Sequence, residues 1–515
     1  MWNWLSYSFA LWPFLLCCLT AIDKYFRVER LIDVAKFVML MAILTGLVGL
    51  SILISNDSVF TIQNTGLLGV QTDRISALFF TMVSVIGWVV LSFSKNYLRG
   101  DAMHRRFTIH LIFTIASVMF LMTAGDIFTF LIAWILSSYE LRKLISFYQD
   151  RKYAVLSGKK KKMMSIFSAG LLIIAFSMIF LFTVQIDLNS FFQMCSSGYV
   201  DQSILEWIAV LLALAAIIQS AHVPFHGWVL SVMEAPTPVS GILHAGLLNA
   251  GPFLIIRFHP VFDKVSIAPN ILILWGGLSA MYGTLVSFYQ PAVKTRLSYS
   301  SVGHMGFSTM LSGLGLYPAA VLHLVGHSFY KAHTFLSSGS EIDKYRIIQT
   351  RDIHFAKLSK YHIIGGFAVG IALFLLLSGL FKGSFFPYYP FFILGFIITI
   401  GISAFIINTS VYTFHIKGFY QIISFTLFVF FSFFMFEAAA EFIIPVTPRN
   451  FEGNIRLFVS TTFIMIMFIL LALYSVLLKW RYLPSIPKWD VYIRNGFYIH
   501  TWVDQQLIQL ISKIE

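Results

Sequence analysis

The sequence predicts an all-α polytopic membrane protein with about 13–15 transmembrane helices. Of its 515 residues, 58% are hydrophobic and only 11% are charged, and the mean hydropathy is +0.80. A soluble protein of this length would carry about a quarter charged residues. Apolar runs of about 20 residues, each long enough to cross a hydrocarbon core of about 30 Å, recur along almost the whole chain.

About fifteen segments have the length and composition of membrane spans. We expect residues 1–480 to form one transmembrane domain and residues 481–515 to form a cytoplasmic amphipathic tail. The first segment lacks a basic leader and a small-residue cleavage site, so it is predicted to be a retained span. Residues 187–203 and 437–456 are predicted to be polar surface loops. The predicted spans are 3–22, 33–54, 75–94, 107–124, 127–147, 163–184, 204–230, 239–257, 268–289, 298–316, 317–338, 360–381, 388–408, 416–436 and 456–478.

The basic residues predict the orientation of the chain in the membrane. With the N-terminus outside and the spans alternating, about 28 of the 36 Lys and Arg residues fall on one side. This distribution predicts a bacterial plasma membrane protein with its N-terminus outside and its C-terminus in the cytoplasm. The net charge of +13 is therefore not a nucleic-acid signature. The run Lys159 to Lys162 is interpreted as an orientation signal that contacts lipid headgroups.

Ionisable and amide side chains are concentrated in the predicted spans between residues 219 and 331. Each such group at bilayer depth costs several kcal/mol unless it is paired or hydrated, so a set of them predicts a path for protons or ions. The candidate path residues are Gln219, His222, His226, Glu234, His244, Lys294, His304, His323, His327 and Lys331.

Three prolines predict a broken helix beside these residues. Pro224 lies inside the span 204–230, and Pro236 and Pro238 lie just before the next span. Proline removes a backbone donor and kinks or ends a helix, and a membrane protein must then satisfy the freed carbonyls with neighbours or water. Broken helices beside polar groups are typical of transporters, and a packing kink is the alternative.

His323, His327 and Lys331 follow one another at a spacing of four residues, which puts them on one face of a helix. Imidazole exchanges protons near neutral pH, so the three predict a proton relay with water filling the gaps. A zinc site is an alternative, but the sequence shows no glutamate between the histidines and no third ligand at a telling spacing. Core hydrogen bonding is the other alternative. No metal or other cofactor is expected in this chain.

Glu234 is the only acidic residue between Trp207 and Val261. An isolated carboxylate beside a broken helix is expected to pair with a buried base, because an uncompensated charge there is costly. Lys294 is the predicted partner.

Three motifs resemble the antiporter-like subunits of respiratory complex I and the Mrp-type cation/proton antiporters. They are HVPFHGWVLSVMEAPTPVSGILHAG at 222–246, KTRLSYSSVGHMGF at 294–307 and HLVGHSFYKAHTFLSSGS at 323–340, and weaker similarity begins near residue 97. The resemblance implies an antiporter-like core over about residues 95–410, with two inverted five-helix repeats that each contain a broken helix. It places His244, Lys294, His323, His327 and Lys331 on a buried chain that conducts protons.

Two positions depart from the complex I pattern. Ile135 stands where those subunits carry a buried glutamate, and Gln219 stands where they carry the lysine of the broken seventh helix. The Glu–Lys pair of that pattern cannot form through these residues. Glu140 and Lys382 lie nearby but out of register, and they are further candidates for the path.

The missing acid and the short tail resemble the DabB branch, the membrane subunits of the two-component DAB inorganic-carbon uptake systems. That resemblance implies a cytoplasmic zinc protein, DabA, as the partner, with zinc expected in the partner and no catalytic site in this chain. The predicted function is therefore to conduct ions, protons in our expectation, within an energy-coupled uptake complex for CO2 or bicarbonate. A proton-translocating subunit of a complex I-like redox enzyme, a cation/proton antiporter and a structural subunit without transport remain alternatives, and sodium remains an alternative coupling ion.

Overall fold

A computed structural model describes residues 3–56, 60–62, 69–340, 360–384, 388–410, 416–445, 455–479 and 487–514. The first part contains α1 (Asn3–Ala21), α2 (Val28–Asn56), β1 (Phe60–Ile62), β2 (Val70–Thr72), α3 (Arg74–Tyr97), α4 (His104–Met122), α5 (Ile127–Ile145), α6 (Lys152–Thr183), α7 (Leu188–Ser196) and α8 (Gln202–Gln219). The centre contains α9 (Gly227–Leu230), α10 (Thr237–Ala245), α11 (Ala250–Arg257), α12 (His259–Phe262), α13 (Ile267–Tyr289), α14 (Val293–Gly313) and α15 (Tyr317–Leu336). The last part contains α16 (Lys360–Lys382), α17 (Tyr389–Ser410), α18 (Ile416–Ile443), α19 (Ile455–Lys479), α20 (Pro487–Arg494) and α21 (Ile499–Ile514).

The helices confirm the predicted fold class. Within the described ranges, nine helices are long and apolar enough to span a membrane, and three shorter apolar helices follow in the last part. Each predicted span coincides with a helix or with a pair of helices. The only sheet in these ranges is the antiparallel pair of β1 and β2, which lies in the connection between α2 and α3.

The predicted surface loop at 437–456 is wrong in its first part. Helix α18 continues to Ile443, so Glu437 and Glu441 lie on a helix and not in a loop. The two acids are four residues apart and share one face, where Glu441 forms an ion pair with Lys382 at the end of α16. That ion pair compensates the charge of Glu441 on the continued helix. Of the other predicted loop, residues 188–196 form the short helix α7.

The predicted helix break occurs at Pro224. Helix α8 ends at Gln219, and the chain stays non-helical until α9 begins at Gly227. The Val223–Pro224 peptide bond is cis. Pro238 has a different role, because it lies in the first turn of α10, where a proline ring fits a helix.

A second break, which the prolines do not predict, follows α10 at Gly246. The chain passes through a short 3-10 segment, Leu247–Asn249, before α11 begins. Ser220, at the first break, donates from its hydroxyl to the Leu248 carbonyl at 2.7 Å and accepts from the Gly251 N–H at 3.1 Å. A Cβ at Gly251 would overlap the Ser220 hydroxyl, so glycine permits this close approach. The two breaks are thus joined to each other.

The broken helices lie at the centre of the bundle. Every residue in the most apolar 18-residue stretch of Thr237–Arg257 is buried. In the corresponding stretches of α1 and α2, only 33% of the residues are buried. The freed backbone groups of the broken segment must therefore be satisfied by protein side chains or by internal water.

The tail docks on the bundle through α20 and α21. Asp504 of α21 forms an ion pair with Lys160 of α6 at 2.6 Å. Tyr282 of α13 donates from its hydroxyl to the Gly496 carbonyl at 2.8 Å. Asp504 also approaches Gly227 so closely that a Cβ there would overlap its carboxylate. Pro484, which the sequence suggests as a breaker after the last span, lies outside the described residues.

Candidate functional site

Helix α15 presents His323, His327 and Lys331 on one face, as their spacing predicts. The His323 and His327 rings lie 5.9 Å apart between centroids. Lys331 is fully buried, and its Nζ donates to the Leu297 carbonyl of α14 at 3.0 Å. The amine therefore has a neutral partner.

His304 of α14 completes a cluster of three imidazoles, the histidine trio His304, His323 and His327. Its ring centroid lies 5.2 Å from that of His323 and 4.6 Å from that of His327. One ring nitrogen from each histidine can be chosen so that all three lie within 4.8 Å of one another. In the described part of the chain, both ring nitrogens of His327 and Nε2 of His323 are buried without a hydrogen-bond partner. Unpaired nitrogens at this spacing suit bridging water.

The trio also bears on the zinc alternative, because His304 supplies the third ligand that sequence spacing did not reveal. Three imidazoles are a familiar ligand set for zinc. However, Lys331 follows one helical turn after His327 on the same face. In the ranges described, no carboxylate forms an ion pair with any of the three rings. A divalent cation beside the charged form of this amine is electrostatically unfavourable, so a metal at the trio would require Lys331 to be neutral.

His244 lies beside the trio, whereas Lys294 does not. His244 of α10 is buried and stacks on Phe335 of α15, with ring centroids 4.3 Å apart. Lys294, at the start of α14, is half-buried, and its Nζ lies 3.4 Å from the Thr237 hydroxyl. Lys294 therefore faces the N-terminus of α10, away from the imidazoles.

The two histidines of the first break point to different neighbours. His222 is fully buried, and its Nε2 lies 3.0 Å from the Thr309 hydroxyl of α14. His226 is also buried, and its Nε2 lies 3.2 Å from the Tyr282 hydroxyl. Its ring lies 5.8 Å from that of His500 on the tail. His222 thus faces the centre of the bundle, and His226 faces the docked tail.

Gln219 lies in a second buried site that sequence reasoning missed. Lys161 of α6 is 1% exposed and donates from Nζ to Oε1 of Gln219 at 3.0 Å. The Gln219 amide donates in turn to the Ser138 hydroxyl of α5 at 2.9 Å. The Lys161 Nζ also lies 4.4 Å from the centroid of the Trp228 ring. We call Lys161, Gln219, Ser138 and Trp228 the Lys161 site.

This geometry corrects the interpretation of the lysine run as a headgroup contact. Of the run, Lys160 and Lys161 are buried and Lys162 is exposed. The reason is that α6 packs one face on α8 and α9: Ser157 donates to the Trp228 carbonyl at 2.9 Å and Ser168 to the Ala215 carbonyl at 2.9 Å. Lys161 lies on this face, four residues after Ser157, and that helical spacing is the signal that could have identified it.

A series of polar groups, the polar seam, lies between the Lys161 site and the histidine trio. It starts at Gln219 and continues through Ser220, which bonds to the Leu248 carbonyl. The next residue, Asn249, donates from its amide to the Ser328 hydroxyl of α15 at 2.6 Å. Ser328 is adjacent to His327 in the chain. The polar seam therefore runs through both helix breaks, across the most buried part of the bundle.

Three candidates lie outside this seam. The Glu234 carboxylate is not paired with Lys294 or with any other residue in the described part of the chain, and the predicted ion pair is wrong because Lys294 turns toward α10. Glu140 is buried and binds His110 at 2.7 Å and Lys143 at 3.3 Å. Lys382 forms its ion pair with Glu441, and Glu437, which the sequence analysis did not select, is buried near this pair.

Two family models match the sequence. Residues 124–419 match the model described as NADH:quinone oxidoreductase/Mrp antiporter, TM, which is more than half of the chain. Residues 65–108 match the model described as NADH-Ubiquinone oxidoreductase (complex I), chain 5 N-terminus. The Lys161 site, the polar seam and the histidine trio all lie within the first match.

Several curated proteins are similar in sequence. "Probable inorganic carbon transporter subunit DabB2" of Halothiobacillus neapolitanus is 36% identical over 312 residues, which are 59% of this chain and 56% of that protein. "Probable inorganic carbon transporter subunit DabB" of Bacillus subtilis is 32% identical over 59% of this chain and 60% of that protein. "NAD(P)H-quinone oxidoreductase chain 5" of Synechocystis is 29% identical over 53% of this chain and 41% of that protein. The chain thus spans little more than half the length of the DabB relatives that it matches.

Two solved structures share the fold. A chain of the Mrp complex from Dietzia matches with a TM-score of 0.62 and 21% identity, over 98% of this chain and 60% of that one. A chain of the archaeal membrane-bound sulfane sulfur reductase matches with a TM-score of 0.60 and 14% identity, over 96% and 97% of the two chains. At these identities the likeness concerns the fold alone.

Proposed function

Because the chain belongs to the NADH:quinone oxidoreductase/Mrp antiporter membrane family, we propose that it conducts protons as the membrane subunit of an energy-coupled inorganic carbon uptake complex. The observation that carries this proposal is the polar seam with the histidine trio and Lys331 at one end. So many polar groups in the most buried part of a bundle cost stability, and a path for ions accounts for them.

The histidine trio supplies the proton-transfer chemistry. A neutral imidazole has one donor and one acceptor nitrogen, so it can take a proton on one side and release it on the other. One nitrogen from each ring lies within 4.8 Å of the others, a gap that one water molecule can bridge. Lys331 provides a proton-binding amine one turn further along α15, and His244 stacks on Phe335, one turn beyond Lys331.

The assignment to carbon uptake rests on the DabB relatives, whose names describe inorganic carbon transporter subunits. We propose a DabA-like cytoplasmic zinc subunit as the partner, with capture of CO2 or bicarbonate there and no catalytic site in this chain. The excess of basic residues on one side supports a plasma membrane location with the C-terminus in the cytoplasm. The docked tail, α20 and α21, would then lie on the side of the partner.

Growth complementation tests this function. The chain and its partner are expressed together in bacteria that lack carbonic anhydrase, and growth in ambient air is the measurement. We expect wild type to restore growth and His327→Gln to abolish it at an equal membrane level. His333→Gln is the matched control, because His333 lies on the same helix but is exposed. No rescue by wild type, together with sodium/proton exchange in vesicles, would contradict the proposal.

A proton-translocating subunit of a complex I-like redox enzyme is the second candidate. The similarity to NAD(P)H-quinone oxidoreductase chain 5 and both family models favour it. Purification of the native complex separates the two candidates. A zinc-containing partner supports carbon uptake, and partners with flavin or iron–sulfur clusters support the redox enzyme.

A further inference from the structure

Lys161 is a buried amine that the proposed function has not yet used. It lies on α6, far along the chain from the histidine trio, and it is as inaccessible as Lys331. A fully buried amine is costly unless its charge is compensated, so the presence of Lys161 calls for a specific cause. An orientation signal does not provide that cause, because the exposed Lys162 can serve the same purpose.

All described partners of Lys161 are neutral. Its Nζ donates to the Gln219 amide oxygen and lies over the indole face of Trp228. In the part of the chain that the structure describes, no carboxylate forms an ion pair with it. The neighbouring Lys160 differs, because Asp504 compensates its charge. A structural lysine would be expected to have such a counter-ion, which fixes its charge and holds it in one place.

A neutral surrounding lets an amine exist in both protonation states. The amide oxygen and the indole face both stabilise the charged form. Loss of the proton leaves no unpaired carboxylate behind, so neither state carries a large penalty for an isolated counter-charge. Lys331 likewise donates to a neutral acceptor, the Leu297 carbonyl. The chain therefore contains two buried amines that donate to neutral acceptors, one at each end of the polar seam.

We propose that Lys161 is a second proton-binding group of the path and that Gln219 positions its amine at the end of the polar seam. The step is a proton exchange: the amine binds a proton from one side, and the charged form releases it toward the polar seam. Ser220, Asn249 and Ser328 lie between the Lys161 site and His327. Internal water would have to complete the link to the His327 ring, because its nitrogens have no hydrogen-bond partner in the described part of the chain. This inference rests on the proposed proton conduction.

The first test removes the charge of Lys161 and keeps its shape. Proton movement into membrane vesicles that contain the chain and its partner is measured for Lys161→Met, Lys162→Met and Lys331→Met. We expect Lys161→Met to lose about tenfold or more, equivalent to a barrier about 1.4 kcal/mol higher. Lys162→Met, in which an exposed lysine of the same helix is changed, should match wild type.

The second test moves the amine across the hydrogen bond. In the double variant Lys161→Gln and Gln219→Lys, the amine is carried by α8 and the amide by α6. We expect the exchange to restore proton movement that Lys161→Gln alone has lost. The exchange keeps the same two buried groups and changes only which helix carries the amine. If Lys161 served packing alone, the exchange would therefore not restore proton movement.

The outcomes separate the two proposals. Loss in Lys331→Met with wild-type flux in Lys161→Met overturns the role of Lys161 and leaves the proposed function standing. Wild-type flux in both variants overturns both. If Lys161→Met fails to reach the membrane, the exchange variant decides: flux supports the role of Lys161, and an inserted exchange variant without flux overturns it.

Discussion

The two buried lysines lie in sites built from different kinds of neighbours. Lys331 has titratable groups near it, with His323 and His327 on the same helix face and His244 stacked on Phe335, one turn further along that helix. Lys161 is surrounded by groups that do not titrate near neutral pH, namely an amide, a hydroxyl and an indole. The first site can pass protons among several groups, whereas the second can only hold one. We infer that the same residue type at the same burial would serve different steps of the proposed path, depending on its neighbours.

Replacement of Lys331 tests the site that has titratable neighbours, and it should have the largest effect. Lys331→Met removes the amine that the Leu297 carbonyl holds, and we expect carbon uptake to fall by about a hundredfold or more, since each tenfold corresponds to about 1.4 kcal/mol in the barrier. Radiolabelled bicarbonate uptake measures the loss, with Lys162→Met as the control of equal charge change. Uptake within twofold of wild type would remove Lys331 from the path.

Replacement of Gln219 tests the second site with a smaller expected effect. Gln219→Leu keeps the volume but removes both the acceptor of Lys161 and the donor to Ser138. A buried hydrogen bond lost in this way costs about 1–3 kcal/mol, so we expect a decrease of about tenfold in uptake together with a lower melting temperature. Gln219→Glu should keep the contact to Lys161, but the new carboxylate should hold the Lys161 amine in its charged form. Unchanged uptake in both variants would show that the amide does not position the amine.

The histidine trio differs from the Lys161 site because it offers a proton more than one route to His327. His304→Phe keeps the ring but removes its nitrogens, and His323 remains next to His327 at 5.9 Å. We therefore expect a partial loss of uptake, about threefold to tenfold, smaller than that of Lys331→Met. A loss as large as that of Lys331→Met would instead mean that the three rings act as one ligand set. Zinc analysis of the purified complex then distinguishes a metal site.

The docked tail covers the region beside the Lys161 site and has no counterpart at the trio in the described ranges. Asp504→Asn removes the charge that compensates Lys160 and should weaken docking by up to about 3 kcal/mol. Protease sensitivity of residues 494–509 in membranes measures this, and Gln505→Asn on the exposed side of α21 is the control. Equal sensitivity of the two variants would show that the ion pair does not hold the tail.

His500 predicts a small pH dependence of this docking. Burial, together with the nearby Lys160, lowers the pKa of His500 below 6.5, and Asp504 partly opposes this. Because the ring holds its proton less readily when docked, protonation favours the undocked tail. Docking is therefore complete above about pH 6.5 and weakens as the pH falls below it. His226 also faces this ring, so His500→Phe, which should abolish the dependence, is the control. An unchanged pH profile in that variant would contradict the assignment.

The sequence was most informative where a pattern is local. The spans, the break at Pro224 and the common face of His323, His327 and Lys331 follow from hydropathy, proline chemistry and helical spacing, and the fold class is confirmed. The approach of His304 and the hydrogen bond between Lys161 and Gln219 depend on how helices pack, which no local pattern contains. The predicted headgroup contact is wrong for Lys160 and Lys161, because charge next to an apolar segment usually marks a membrane boundary. The packed face of Ser157, Lys161 and Ser168 overrides that rule here.

Simultaneous measurement of proton movement and carbon uptake tests the central claim most directly. Membrane vesicles that contain the chain and its partner receive bicarbonate while the internal pH and the labelled carbon are followed together. We predict that a proton flux accompanies uptake in wild type and that both are lost in Lys331→Met. Full carbon uptake without any proton movement would contradict a proton path through this bundle.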